Sequence, residues 1–157
     1  MRILMRLVIT STILIAIMVL TGSVMDIHAE SPFQPIPEAK VNKAYKAKAQ
    51  KAAIDTLTNW RDGKYEPLSD DYTDAMKEAS TPARQKAAYQ NIKALFGDFK
   101  DLKYVEAVAS KNLPSLVVYR FKGTFTGTKD QPEIRVVIDS DGKVAGFFIK
   151  PWKNELQ

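Results

Sequence analysis

The groups in this chain best placed to move a proton are one carboxylate and a few phenols. Glu106 stands in "DLKYVEAV", two positions after Tyr104, and Tyr119 follows in the next strand-like run. A carboxylate beside a phenol can take a proton from carbon while the phenol steadies the developing oxyanion, which is isomerase- or lyase-type chemistry. Tyr45, on a helical stretch, is a further candidate phenol. Counted in step with Leu102, Tyr104 and Val108, Glu106 shares their face and projects inward. Counted past the blurred alternation at Val105, it is simply exposed; even inward, it can be taken up by pairing across strands with Arg120 or Arg135. Charged residues are seldom buried without a partner, which weighs against an inward, unpaired Glu106.

Other chemistries are excluded by composition. The chain has no cysteine and a single histidine, His28, within a segment expected to be removed. Thiolate nucleophiles, imidazole bases, disulfides and zinc held by histidine or cysteine are therefore not expected. Asp139 and Asp141 in "DSDG" look like the opening of a calcium loop, but Lys143 and Val144 follow where further oxygen ligands would be needed. Asp-Gly between two apolar strands is instead a hairpin turn. No metal and no cofactor is expected. Lys40, Lys43, Lys46, Lys48 and Lys51 suggest a polyanion footprint, yet no aromatic set interleaves with them and acidic residues break the positive field elsewhere. They read as a solvated helix face, and no nucleic-acid partner is expected.

These side chains must be positioned by an α+β arrangement. A helix is expected from about Glu38 to Trp60, with Val41, Tyr45, Ala49, Ala52, Thr56 and Trp60 on one stripe and Gly63 as its stop. A broken helical stretch follows in "YEPLSDDYTDAMKEAS". Thr81-Pro82 then opens a helix that presents Ala88, Ile92, Leu95 and Phe96 and ends at Gly97. After Gly97 the apolar period changes from helical to alternating, and four strands are expected. The first is "FKDLKYVEAVAS". In the second, Val117, Tyr119, Phe121 and Phe125 share a face. "EIRVVID" is the third and Lys143 to Trp152 the fourth. Helices then cover one face of a four-stranded antiparallel sheet. Trp60, Tyr72, Phe96, Tyr119 and Phe121 are candidates for a ligand pocket as well as for core. The last strand is apolar on both faces, which suggests a homodimer interface through Phe147, Phe148 and Trp152.

The N-terminus reads as an export signal. Arg2 and Arg6 precede an uncharged run from Leu7 to Met25, and Ala29 offers a cleavage point, so residues 1–29 are expected to be a signal peptide. The run approaches the length that spans a bilayer, so an uncleaved anchor is the alternative, and membrane attachment is expected only in that case. Residues 30–37 form a proline-rich lead-in, and residues 38–157 form one domain outside the cytoplasm.

Three phrases carry a family likeness: "WRDGKYEPLSDDYTDAMK", "LFGDFKDLKYVEAV" and "IDSDGKVAGFFIKP". Over Ala44 to Pro151 the chain resembles a bacterial family of secreted domains of unknown function within the nuclear-transport-factor-2-like (cystatin-like roll) superfamily, found alone or ahead of α/β-hydrolases. The resemblance implies a cone-shaped roll with a cavity between helices and a curled sheet and frequent dimerisation through the sheet; it implies no settled activity and brings no catalytic residues to carry over. No hydrolase follows before Gln157, so the domain is expected to act alone or through a partner. The expected function is a non-catalytic binding module for a small apolar ligand, a peptide or an envelope protein. The alternatives are a small isomerase or lyase using Glu106 with Tyr104 or Tyr119, and an inhibitor or immunity-like protein.

Overall fold

Asn42 sets the start of the first long helix. Its side chain accepts a hydrogen bond from the Tyr45 backbone N–H, and α1 (Lys43–Arg61) runs from there towards Gly63, whose φ of 76° turns the chain away. The computed structural model describes residues 32–154. The expected export segment, 1–29, lies outside the described residues. The helix does not begin at Glu38: Glu38–Lys40 is a separate 3-10 turn, because Asn42 caps the next turn rather than continuing the first. Its buried residues are Ala49, Ala53, Leu57 and Trp60, so the stripe is rotated from the expected Ala52 and Thr56. The alanines let α1 lie close against the sheet.

α2 (Asp74–Ala79) is a single capped stretch, with Thr73 Oγ1 accepting from the Met76 N–H. α3 (Pro82–Phe96) starts with Thr81 at the cap and proline in the first turn, as expected, and ends at Gly97. Its inner face differs from expectation. Gln85 and Tyr89 are buried, Ile92 and Phe96 are half-buried, while Ala88 is exposed and Leu95 is 71% exposed. The helix turns a polar residue inward because Gln85 has partners there, described below.

The sheet has five antiparallel strands in the order β1-β2-β3-β4-β5, not four, and it does not close. β2 (Phe99–Ser110), β3 (Val117–Phe125), β4 (Glu133–Ile138) and β5 (Val144–Lys150) form the expected meander. The additional strand, β1 (Phe33–Pro35), comes from the proline-rich lead-in and pairs with the end of β2, Phe33 opposite Ser110 and Pro35 opposite Val108. An edge strand needs only alternate N–H groups for its one neighbour, so prolines that would spoil a central strand are tolerated there. Register shifts between Tyr104 and Glu106 and between Val137 and Ile138 mark bulges, which kink and twist their strands.

The core lies between α1 and the sheet. Leu57, Tyr119, Phe121, Ile134, Val136 and Ile138 are all essentially inaccessible. A smaller cluster of Val108, Val118 and Val137 lies on the opposite sheet face. No helix among the described residues is long and apolar enough to cross a membrane.

Candidate functional site

The carboxylate and the phenols are not brought together. The bulge at Val105 breaks the alternation of β2, so Tyr104 faces the helices while Glu106 pairs across to Arg120 on the other face. Tyr104 donates to Glu38 Oε2 at 3.3 Å, and burial together with that carboxylate pushes its phenol up to about 12. Tyr104 is therefore a neutral donor already engaged with Glu38. Tyr119 is 1% exposed, within the core, and burial raises its phenol too. Phe121, beside it, is wholly buried. These two aromatics are part of the core between α1 and the sheet.

The face carrying Glu106 is organised around a buried acid. Glu133 Oε1 accepts from Arg120 Nε at 2.5 Å and from Arg135 Nε at 2.6 Å, and Glu133 Oε2 accepts from Arg135 Nη2 at 3.3 Å. Burial alone would raise the Glu133 carboxyl, but the hydrogen bonds and charges of Arg120 and Arg135 outweigh it and hold the group below the usual carboxylate range. Arg120 also donates to Glu106 and, through Nη2, to the Lys153 carbonyl at 2.8 Å. The Trp152 ring lies over this knot, 4.4 Å from the Arg120 guanidinium carbon and 4.6 Å from Lys122 Nζ. Trp152, expected at a dimer interface, thus packs on its own sheet. Phe147 turns towards the helices, its ring edge-on to Trp60 at 5.9 Å, whereas Phe148 stands on the outer face and is 55% exposed.

Of the five candidate ligand residues, Trp60 and Tyr72 meet in a cleft. It holds about 420 Å³ and lies where α1, α2 and α3 approach β5, with Trp60, Tyr72, Met76, Ala88 and Phe147 among its walls. Its geometry is set by hydrogen bonds behind the rings. Trp60 Nε1 donates to Gln85 Oε1 at 3.0 Å, and Gln85 Nε2 donates to the carbonyls of Glu66 (2.7 Å) and Ser80 (2.8 Å). One amide therefore ties α1 to the chain on both sides of α2. The hydroxyls of Tyr72 and Thr56 share a hydrogen bond of 3.3 Å, and burial raises the Tyr72 phenol. The backbone around Tyr72 is clamped to the sheet, since Val144 N–H donates to Asp71 O and Thr73 N–H donates to Val144 O. The walls are mostly aromatic faces, a thioether and aliphatic groups, with Thr56, Ser80, Gln85 and the Arg84 guanidinium as the polar members, and no carboxylate lines them.

Phe96 lies elsewhere, 5.9 Å from Phe125, at a wider depression of about 860 Å³ beside the 127–132 loop and Trp152. That opening is walled largely by exposed loop residues and mixes Lys122, Lys129 and Asp130 with ring edges. The aromatic cleft has the more specific walls.

Three of the five lysines and the Asp139 turn have structural partners. Lys46 pairs with Glu38 (2.7 Å), Lys48 with Asp71 (2.8 Å), and Lys51 with Asp55. Lys48 also donates to the Gly142 carbonyl, gripping the β4–β5 turn. Within that turn Asp139 Oδ1 accepts from the N–H groups of Asp141 (3.0 Å) and Lys143 (2.8 Å), which is hairpin chemistry.

Gln85 and Glu133 are the residues that sequence reasoning passes over. Gln85 sits one helical turn before Tyr89, so a stripe counted as Gln85, Tyr89, Ile92 and Phe96 would have flagged a polar group on an inner face. Glu133 begins a strand that is buried along its whole length, a position where a charge requires partners.

Comparison with known proteins adds one relation. No curated protein and no solved structure matches the chain. The model of one family matches residues 53–147, a span that contains Trp60, Tyr72, Gln85 and Phe147. The chain belongs to that family, described as protein of unknown function DUF3887.

Proposed function

We propose that this chain is a non-catalytic, extracytoplasmic binding module of the nuclear-transport-factor-2-like kind, which takes a small apolar ligand, or an apolar side chain of a peptide or partner protein, into the cleft between the helices and β5. The observation that carries this reading is the cleft itself: about 420 Å³ walled by Trp60, Tyr72, Met76 and Phe147, with the indole N–H of Trp60 and the hydroxyl of Tyr72 engaged in hydrogen bonds. That volume lies within the range of small-molecule sites, which are mostly apolar with a few fixed polar groups. The absence of an acid from its walls, and the commitment of Glu106 to Arg120 and of Tyr104 to Glu38, favour binding over proton transfer. Helices on one face of a bulged antiparallel sheet support the roll architecture. Arg2, Arg6 and the uncharged Leu7–Met25 run support export.

The test uses Trp60 as its reporter. In a Trp152→Phe background, the remaining emission comes from Trp60. Titration with decanol, an uncharged apolar probe, is expected to shift that emission saturably. It is also expected to raise the melting temperature by several degrees once the probe is far above its dissociation constant. Ala88→Glu places a carboxylate at the cleft from an exposed helix position, so it should abolish the shift while leaving the circular dichroism spectrum intact. A Trp60 signal that responds equally in the Ala88→Glu chain, or does not respond in the parent, overturns the reading.

A further inference from the structure

On the far side of β5 from the cleft, the sheet face turned away from the helices carries a second depression, of about 320 Å³. Its floor is apolar, with Val118 from β3, Val137 from β4, and Leu116 and Phe148 beside them. Arg135 and Lys150 also line it and make it cationic. Arg135 is 8% exposed and spends Nε and Nη2 on Glu133, which leaves Nη1 without a partner among the described residues. Every fully occluded side-chain nitrogen and oxygen among the described residues is hydrogen-bonded, so Nη1 reaches solvent, and the surface that Arg135 lines is this groove. Lys150 stands opposite Glu133 in the ladder, but both oxygens of Glu133 are occupied by the arginines, and Lys150 makes no ion pair among the described residues. Burial, and then the Arg135 charge, pull its ammonium below the usual lysine range, as expected where positive charge is left unbalanced.

One unengaged guanidinium nitrogen of Arg135 and the Lys150 ammonium, beside an apolar trough, are complementary to an anion that carries an apolar tail. A peptide is a poorer occupant, because its amides would lie over Val118 and Val137 with nothing to hydrogen-bond, whereas a hydrocarbon chain brings no such groups. We infer that this groove binds a single-chain carboxylate amphiphile, with its carboxylate at Arg135 Nη1 and Lys150 Nζ and its chain along Val118, Val137 and Leu116. The site is separate from the helix-side cleft and shares only Phe148 with it.

The experiment compares sodium dodecanoate with dodecanol on the full chain by calorimetric titration at pH 8, where the carboxylate is ionised. The parent chain is expected to bind dodecanoate the more tightly of the two. Lys150→Met should weaken dodecanoate about tenfold, the usual scale for one hydrogen bond to a charged group, and leave dodecanol unchanged. Leu113→Asp, at the exposed rim, should also weaken dodecanoate, whereas Ala88→Glu should not, so failure here and failure of the cleft reading are told apart. Equal affinity for acid and alcohol, or undiminished dodecanoate binding by Lys150→Met, overturns the assignment. So does a dimeric mass abolished by Phe148→Asp in a chain that takes up no dodecanoate.

Discussion

Replacing Glu133 by alanine is expected to remove about 3–5 kcal/mol of stability, the usual cost of breaking a buried ion pair from one side. Glu133 is 0% exposed, so the substitution leaves Arg135, 8% exposed, without its carboxylate and Arg120, 1% exposed, with Glu106 as its remaining acid partner. Against a typical total of about 5–15 kcal/mol, urea denaturation should find the domain close to unfolding. Glu133→Gln keeps an acceptor and should fall between. Substituting Arg120, Glu133 and Arg135 together by apolar residues of similar volume should recover much of the loss, because the desolvation of all three charges disappears with them. The same carboxylate makes stability depend on acid. Its folded pKa lies below the ordinary value of 4.5, so its contribution is complete above about that pH and fades as pH falls through the depressed folded value. A Glu133→Gln chain should lose less stability than the parent across that acid window. An alanine variant within about 1 kcal/mol of the parent would show that the knot is dispensable.

Gly97→Ala is expected to cost about 2–6 kcal/mol. At φ 85° and ψ −162°, Gly97 occupies a region reserved almost wholly for glycine, where other residues are strained by about 1–3 kcal/mol. An added Cβ would also sit 2.3 Å from the Gly127 backbone nitrogen and 2.8 Å from its Cα, and overpacking of this kind adds about 1–3 kcal/mol. The clash is with backbone that is itself held, since the Gly127 N–H donates to the Phe96 carbonyl and the Thr126 N–H to the Asp98 carbonyl. Gly63→Ala provides the contrast. Gly63 also has positive φ, 76°, but nothing lies within 4 Å of its would-be Cβ, so only the conformational cost of about 1–2 kcal/mol applies. Chemical denaturation of the two variants side by side separates steric from conformational effects, and equal losses would refute the clash.

What sequence could and could not reveal follows the range of the interactions involved. The Asp139–Gly142 turn, the Thr81-Pro82 start of α3 and the ends of α1 and α3 at Gly63 and Gly97 are local chemistry, and all were legible. So was the alternation of β3, because one continuous face of it is buried. The fifth strand was not, because nothing in Phe33-Gln34-Pro35 announces a strand until Val108–Ser110 lies beside it. The Val105 bulge appeared only as a blurred phase, and whether it turned Glu106 inward depended on a partner strand. The sequence offers Arg120 as a cross-strand partner of an inward Glu106, but nothing in it places the second acid, Glu133, on the same arginine. Trp60 and Tyr72 stand at the helix-side cleft, where an aromatic serves core and wall at once. Tyr119 and Phe121 have the same chemistry, but alternation in a strand does not say whether helices will seal its inner face.

The pairing of β1 with β2 sets an order of events. Three helices separate Phe33 from its neighbour Ser110, so during synthesis the leading strand has nothing to dock on until most of the fold has been made. Closing so long a loop for three residues of ladder is entropically unrewarding until the rest is assembled. β1 should accordingly behave as a clasp, fastened last and unfastened first, with its amides exchanging ahead of those in β3 and β4.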